Sequence, residues 1–489
     1  MSTIQPQSEA SSARIHKAHK YATGLALIAT LGPLFYGFEG MVLNGAIGAV
    51  GTTFQLGPLM QGIAGSAGII GAIIGAFVAG RISDIIGRKT TLMWVGPLLM
   101  FEAICGAFSP QLGPEWGYVF LLLCRIVGGV GFGAATTVAP GYVAEIAPAS
   151  IRGRLIAFRQ LAIIIGLTSA AVINAVIVGI SGGSGEELAF GIATWQFMFL
   201  FLIIPALCFI GFTARIPESP RYLVAKGRKA EAAQVLERVT GESSESVAAT
   251  VESIHASLGT AGGETWSIGK ILKSEWRGLV FVGIALAAFQ QLTGTNGIFF
   301  YSNMIFESIG YDESTALYQT LFLGVFKIVG VTAGILLVDR VGRKKMLMVG
   351  GALIFVALGI IATIFTFAPH NAEGSVDITS SPVLGYLVII GFCLFLLGFT
   401  SSWGPIFSVL MGEMFPNKIR GGAMSLASGA DFVVNLLVVI SFPYLVAWSP
   451  AGVYWIFFVF GVLAVLFTGR FVKETKGANL EEMEKVVKE

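Results

Sequence analysis

Charge is what this sequence has least of. Asp, Glu, Lys and Arg make up 12% of its 489 residues, against the roughly 25% usual in soluble globular domains. Hydrophobic residues account for 55%, and the mean hydropathy is +0.79. That balance excludes a soluble domain and points to an integral membrane protein. The net charge of +2 is not gathered into a basic patch of the kind nucleic acid requires, so no nucleic-acid partner is expected. Only four histidines occur, with no H-E-x-x-H or nucleophile-elbow pattern, so neither an enzyme nor a metal or cofactor site is expected. The four cysteines, Cys105, Cys124, Cys208 and Cys393, all fall inside apolar stretches, where a thiol serves as a small core group rather than half of a disulfide.

What is abundant is long apolar runs. A helix needs about 20 apolar residues to cross a bilayer, and such runs lie near 22–48, 59–80, 90–108, 118–142, 155–178, 194–214, 277–303, 316–338, 346–367, 384–411, 422–446 and 451–470. They are too long and too evenly apolar for barrel strands, and lipid offers the backbone no hydrogen-bond partner, so the expected fold is all-α with twelve transmembrane helices. The first run exceeds a signal-peptide core and reads as a retained helix. Loops after even-numbered helices carry Arg81, Arg88 and Lys89; Arg152, Arg154 and Arg159; Arg340, Arg343, Lys344 and Lys345; and Lys418 and Arg420. Loops after odd-numbered helices carry neither Lys nor Arg. By the positive-inside rule both termini and the middle segment are cytoplasmic. The expected organisation is a tail over 1–21, a six-helix bundle over 22–214, a linker over 215–276, a second bundle over 277–470 and a tail over 471–489. Within the linker, KGRKAEAAQVLERV has the periodicity of an amphipathic helix.

The two halves repeat one another. DIIGRK (Asp84, Arg88) returns as DRVGRK (Asp339, Arg343), EIAPASIRG (Glu145, Arg152) as EMFPNKIRG (Glu413, Arg420), and PESPR at 217–221 as KETKG at 473–477. Duplicated halves with a site between them at mid-membrane are the plan of a secondary transporter. If these eight charged residues lie where the halves meet, ion pairs among them form a cytoplasmic gate, each worth about 0–1 kcal/mol and therefore easy to break.

The segments GRISDIIGRK, RIVGGVGFG, PESPRYL, QQLTGTNGIFFYS, DRVGRKK, SWGPIFSVLMGEMFPNKIRG and KETKG occur in this order across nearly the whole chain. Together they resemble the sugar porter branch of the major facilitator superfamily. The resemblance implies two six-helix pseudo-repeats and transport of a small hydrophilic solute. In that family the proton-coupled xylose and galactose symporters carry an acid at the position of Glu39 and an arginine at that of Arg125, while animal glucose facilitators lack the acid. Helix rise agrees: Glu39 lies about 25 Å into helix 1, and Arg125 about 10 Å down helix 4 from the other side, so the two share a depth. A lone charge there costs about 2.5–3.5 kcal/mol, and the two are expected to face one another as the proton-coupling pair.

The resemblance also marks Tyr36, Gln160, Gln290, Gln291, Asn296 and Gly404 as substrate-binding. Amides suit a sugar because each offers a donor and an acceptor to neighbouring hydroxyls. Leu167, Phe300, Ser408 and Phe432 depart from the usual glutamine, tyrosine and tryptophans, and Lys327 and Asp431 stand at amide positions. Each of those two charges lies roughly 17–18 Å from the inner edge, so they are expected to bond to each other and select the solute. Glu102 in helix 3 reads as a structural or snorkelling charge. The run GGVGFGAA reads as a close helix contact.

The expected function is proton-coupled symport of a sugar, polyol or related polyhydroxylated solute. The alternatives are an uncoupled facilitator, or a carrier of a charged solute such as a sugar acid or amino sugar. A membrane sensor or enzyme fits less well. The partners are solute, proton and membrane lipid, the working unit a monomer, the place the inner membrane. A short first outer loop and the lack of glycosylation sequons in outer loops lean bacterial.

Overall fold

The computed structural model describes residues 5–147, 149–260, 268–369, 378, 381–416 and 419–475. For residues 5–13, 15, 30, 149–158, 257–260, 268, 339, 408, 412, 420 and 421 it describes the helical path alone. The side chains of Arg152, Asp339, Arg420 and Ser408, and the tail beyond Thr475, therefore lie outside the described residues.

Among the described residues twelve helices are long and apolar enough to cross a membrane: α1 (His16–Thr53), α2 (Pro58–Ile86), α3 (Arg88–Ala107), α4 (Pro114–Ile146), α5 (Arg159–Ser181), α6 (Thr194–Thr213), α7 (Arg277–Phe300), α8 (Glu313–Val338), α9 (Arg343–Phe367), α10 (Pro382–Met411), α11 (Gly422–Trp448) and α12 (Pro450–Phe471). α1 packs on α5, α2 on α4 and α3 on α4 in the first half; α7 packs on α11, α9 on α12 and α9 on α10 in the second. The halves meet where α2 touches α11 and α5 touches α8. The loop between α5 and α6 adds a two-stranded antiparallel ribbon, Glu187–Ala189 with Ile192–Ala193.

Small residues bring the helices of the first half together. A Cβ at Gly129 of α4 would fall 2.2 Å from the Gly68 carbonyl oxygen of α2, and one at Gly133 would fall 2.3 Å from that of Ala72. The glycine run on α4 is thus the close helix contact its composition implies.

The stretch expected as an N-terminal tail is helical from Gln5 and continuous with α1. Strong helix formers account for part of this. Packing supplies the rest: Gly241, which ends the linker helix Lys229–Thr240 with a positive φ of 70°, sits against Arg14 and Ala18. The linker folds as Pro220–Ala225, Lys229–Thr240 and Ser244–Thr260 around Leu223, Val224, Ala232, Leu236, Val247 and Val251.

Among the described residues three membrane helices are interrupted, α6 at Phe201 and Leu202 and two more beside the cavity. α7 is interrupted at Thr293 and Gly294, the latter at φ +81°, and resumes at Thr295–Phe300. α10 passes through a π-turn over Phe399–Trp403, a departure common at functional sites.

Candidate functional site

Arg125 of α4 is the hub of a buried charge cluster. Its Nη2 lies 2.6 Å from Glu39 Oε1 of α1 and its Nη1 lies 3.4 Å from Glu102 Oε1 of α3. Its Nε donates to the Ala64 carbonyl of α2 at 2.9 Å. Arg125, Glu39 and Glu102 are 1%, 6% and 0% exposed, so all three are out of reach of bulk water. Two glycines make the room. A Cβ at Gly128 would lie 1.6 Å from Glu102 Oε2, and one at Gly68 would lie 3.0 Å from Glu39 Oε1. With both carboxylates ionised the triad carries one net negative charge. One added proton makes it neutral.

The sequence pairs Glu39 with Arg125, and the structure places them in contact. It also brings in Glu102, which is too deeply buried to snorkel and instead shares the guanidinium. Depth arithmetic contains the signal: Glu102 lies fourteen residues past Arg88, or about 21 Å into the membrane, close to the layer of Glu39.

Beside the triad, between the halves, lies a cavity of about 180 Å³, below the roughly 300–1,000 Å³ of drug-sized sites and scaled to a small solute. Tyr36, Gln160, Gln290, Gln291, Asn296, Lys327, Gly404 and Asp431 all line it. The departing side chains Leu167, Phe300 and Phe432 line it as well. The broken α7 presents its amides in a chain. Asn296 Nδ2 donates to Gln291 Oε1 at 3.0 Å and to Asn435 Oδ1 at 2.9 Å, and Gln291 Nε2 donates to Asp431 Oδ1 at 2.7 Å. Gln290 Nε2 donates to the Trp403 carbonyl in the π-turn at 3.1 Å. Tyr36, one helical turn before Glu39, lies in electrostatic reach of both Glu39 and Asp431, linking the cavity to the triad.

The expected bond between Lys327 and Asp431 is not formed. The Lys327 ammonium sits 2.9 Å above the centroid of the Phe299 ring, while the Asp431 carboxylate is held by Gln291 and lies in electrostatic reach of Arg159. Equal depth assigns two residues to one layer of the bundle and says nothing of direction around it; α7 stands against Asp431 and supplies its partner. Arg159, which the loop pattern assigns to the cytoplasmic edge, lies ten residues into the helix Ala149–Ser181 that contains α5 and lines the cavity. Its position immediately before Gln160 is the signal that places it there.

At the end of the bundle carrying the basic loops, each half holds its own clamp. Arg88 lies 2.8 Å from Asp84 and 3.1 Å from Glu145. Ser219 Oγ donates to Glu145, and Glu218 Oε1 accepts from the backbone N–H groups of Arg88 and Lys89. The second half repeats the pattern. Arg343 lies 2.9 Å from Glu413, Thr475 Oγ1 donates to Glu413 at 2.6 Å, and Glu474 accepts from the N–H groups of Arg343 and Lys344. The expected gate pairs across the seam break when that face opens, and the ion pairs described for Asp84, Arg88, Glu145, Arg343 and Glu413 are of another kind. Their described pairs lie inside one half, because each arginine begins a helix whose neighbours belong to its own bundle.

The halves are instead tied at the opposite end. Asn44 Nδ2 donates to the Phe299 carbonyl at 3.0 Å and to Ser302 Oγ at 2.7 Å, and Asn44 Oδ1 accepts from Asn303 N–H. Glu313 Oε1 accepts from Ser184 N–H at 3.0 Å. A cavity of about 360 Å³ beside these contacts is lined by Asn44, Gln61, Glu307 and Glu313, among others.

The "Sugar (and other) transporter" family model matches residues 25–487. The chain belongs to the sugar porter family of the major facilitator superfamily. This sugar porter is 35% identical to a glucose transport protein of Synechocystis sp. over 95% of this chain and 97% of that one. It is 33% identical to the D-xylose-proton symporter of Escherichia coli strain K12 over 95% of each. The solved inward open conformation of the xylose transporter XylE from E. coli aligns with a TM-score of 0.80 at 30% identity, covering 95% of this chain and all of that one. The fold is thus the major facilitator fold, and the porter is a multi-pass membrane protein whose relatives transport sugars.

Proposed function

We propose that this porter couples the entry of a proton to that of a sugar, polyol or related polyhydroxylated solute, by alternating access, as a monomer in the inner membrane. In this reading the basic end is cytoplasmic, along with both termini. The observation that carries it is the buried cluster of Glu39, Glu102 and Arg125 joined through Tyr36 to a cavity of amides. Glu39 takes up the proton and Arg125 answers the change in its charge. Gln160, Gln290, Gln291 and Asn296 bind solute hydroxyls. The described hydrogen bonds between halves cluster at the end away from the basic loops, which suits a state open toward the cytoplasm, as does the likeness to an inward open structure.

One proton moving down 100 mV supplies about 2.3 kcal/mol, enough for roughly 40-fold accumulation. Uptake into proteoliposomes with and without a proton gradient tests the reading. Glu39→Gln is expected to abolish accumulation and leave counterflow exchange intact. Accumulation that survives Glu39→Gln removes Glu39 as the coupling acid, and uptake indifferent to the gradient leaves an uncoupled facilitator.

A further inference from the structure

The charges lining the central cavity do not balance. Among its described lining residues Arg159 and Lys327 are cationic and Asp431 alone is anionic. Asp431 is already engaged, by the Gln291 amide and by its proximity to Arg159. Lys327 is 6% exposed, and no carboxylate, carbonyl or hydroxyl among the described residues lies within hydrogen-bond distance of it. The face of Phe299 stabilises its charge but satisfies none of an ammonium's three donors. The Arg159 Nε is likewise buried without a hydrogen-bond partner. A buried ammonium and a half-buried guanidinium with a buried, unused Nε, both facing one cavity, carry a desolvation cost that a purely structural role leaves unmet. A solute bearing a negative charge would offset it.

We propose that the preferred solute is an acidic monosaccharide, a sugar carrying one carboxylate of the hexuronate type, with Lys327 and Arg159 as the groups that receive that carboxylate. This rests on the reading of the cavity as the solute site. The amide chain of Asn296, Gln291 and Gln290 remains available to the ring hydroxyls, as for a neutral sugar. Lys327 supplies a point charge and Arg159 a planar fork, the two donor geometries that bind carboxylates most strongly. Asp431 keeps the Arg159 side of the cavity from becoming a general anion trap and disfavours solutes with a second negative charge.

The test compares matched solutes on one protein. Hexuronates of the gluco, galacto and manno series differ from their hexoses in a carboxylate in place of the terminal hydroxymethyl group. Each pair, with glucosamine as the cationic counterpart, is titrated by calorimetry against the purified full chain without a proton gradient. A charge-assisted hydrogen bond contributes about 1.5–3 kcal/mol, so at least one hexuronate is expected to bind about 10- to 100-fold more tightly than its hexose. Lys327→Met and Arg159→Gln are each expected to shrink that ratio, and Lys327→Arg to retain most of it. The ratio is taken within one protein, so the wild type alone can refute the proposal. Hexoses or glucosamine binding as well as the hexuronates overturns it, as does a ratio unchanged in Lys327→Met. Hexuronate binding with uptake that ignores a proton gradient sinks the coupling and spares this inference; gradient-driven accumulation of hexose with no hexuronate preference does the reverse.

Discussion

Removing the hub of the triad should separate electrostatic from steric consequences. Arg125→Met keeps an unbranched side chain of similar reach but withdraws two contacts to carboxylates and one to the Ala64 carbonyl. It leaves Glu39 and Glu102 facing each other with no counter-charge, both buried. Breaking a buried pair by deleting one partner costs about 3–5 kcal/mol, whereas replacing every charged member by neutral groups of similar shape is often neutral or better. The single variant is therefore expected to lose at least about 3 kcal/mol. The triple variant Arg125→Met with Glu39→Gln and Glu102→Gln should recover most of that loss. Thermal unfolding of purified protein, followed by intrinsic fluorescence at fixed detergent and pH, supplies the ranking. Proteoliposome assays supply the function: the triple variant exchanges solute and does not accumulate it. A single variant as stable as wild type, or a triple variant that still accumulates solute on a proton gradient, refutes the reasoning.

Asn44→Ala deletes three hydrogen bonds between the halves, worth about 0.5–1.5 kcal/mol each; spin labels on the ends of α1 and α8 near that seam should show it open more often, and an unchanged distance distribution counts against the latch. Burial, reinforced by the negative charge of Glu313, pushes the Glu307 carboxyl from an ordinary 4.5 up to about 7. A carboxyl raised on folding favours the closed seam while protonated, and that contribution fades as pH climbs from about 4.5 through 7. Label distances across the seam should therefore lengthen on raising pH past 7, and Glu307→Gln should flatten the response. Glu218→Ala uncaps α3 and removes the acceptor for two backbone N–H groups; a loss of about 1 kcal/mol is expected, with exchange at those amides accelerating, and unchanged protection there argues against the cap.

How much of this was legible in the sequence depended on what each residue needs. Glu39 and Arg125 announce each other because an intramembrane charge requires a partner, and helix rise gives depth to within a turn. The same arithmetic misled for Lys327 and Asp431, since depth fixes a layer and direction around the bundle is set by helix packing, which a single sequence does not display. Arg159 is hidden among the arginines that follow α4; charge counting groups it with a basic loop, while the helix in fact runs from Ala149 and carries it, beside Gln160, to the cavity. Asn44 was invisible for a different reason. Its acceptor is the Phe299 carbonyl, freed where α7 ends at Phe300 and a new helix starts at Ser302, and an interruption inside one apolar run leaves no mark in hydropathy. The twelve helices and the doubled charge motifs, by contrast, follow from hydropathy and repetition, which lipid imposes on every chain that crosses it.

The paired clamps bear on how the chain can be cut and extended. Glu474 and Thr475 stand just past the last membrane helix yet complete the cap and brace of α9. A reporter fused, or a protease site placed, before Thr475 would dismantle that corner, so the safe junction for a tag begins after it. Glu218 and Ser219 do the same for the first half, well before the linker ends. A break introduced between Thr260 and Ile268 would leave each product with its own brace complete, and two separately translated pieces would each arrive ready to dock.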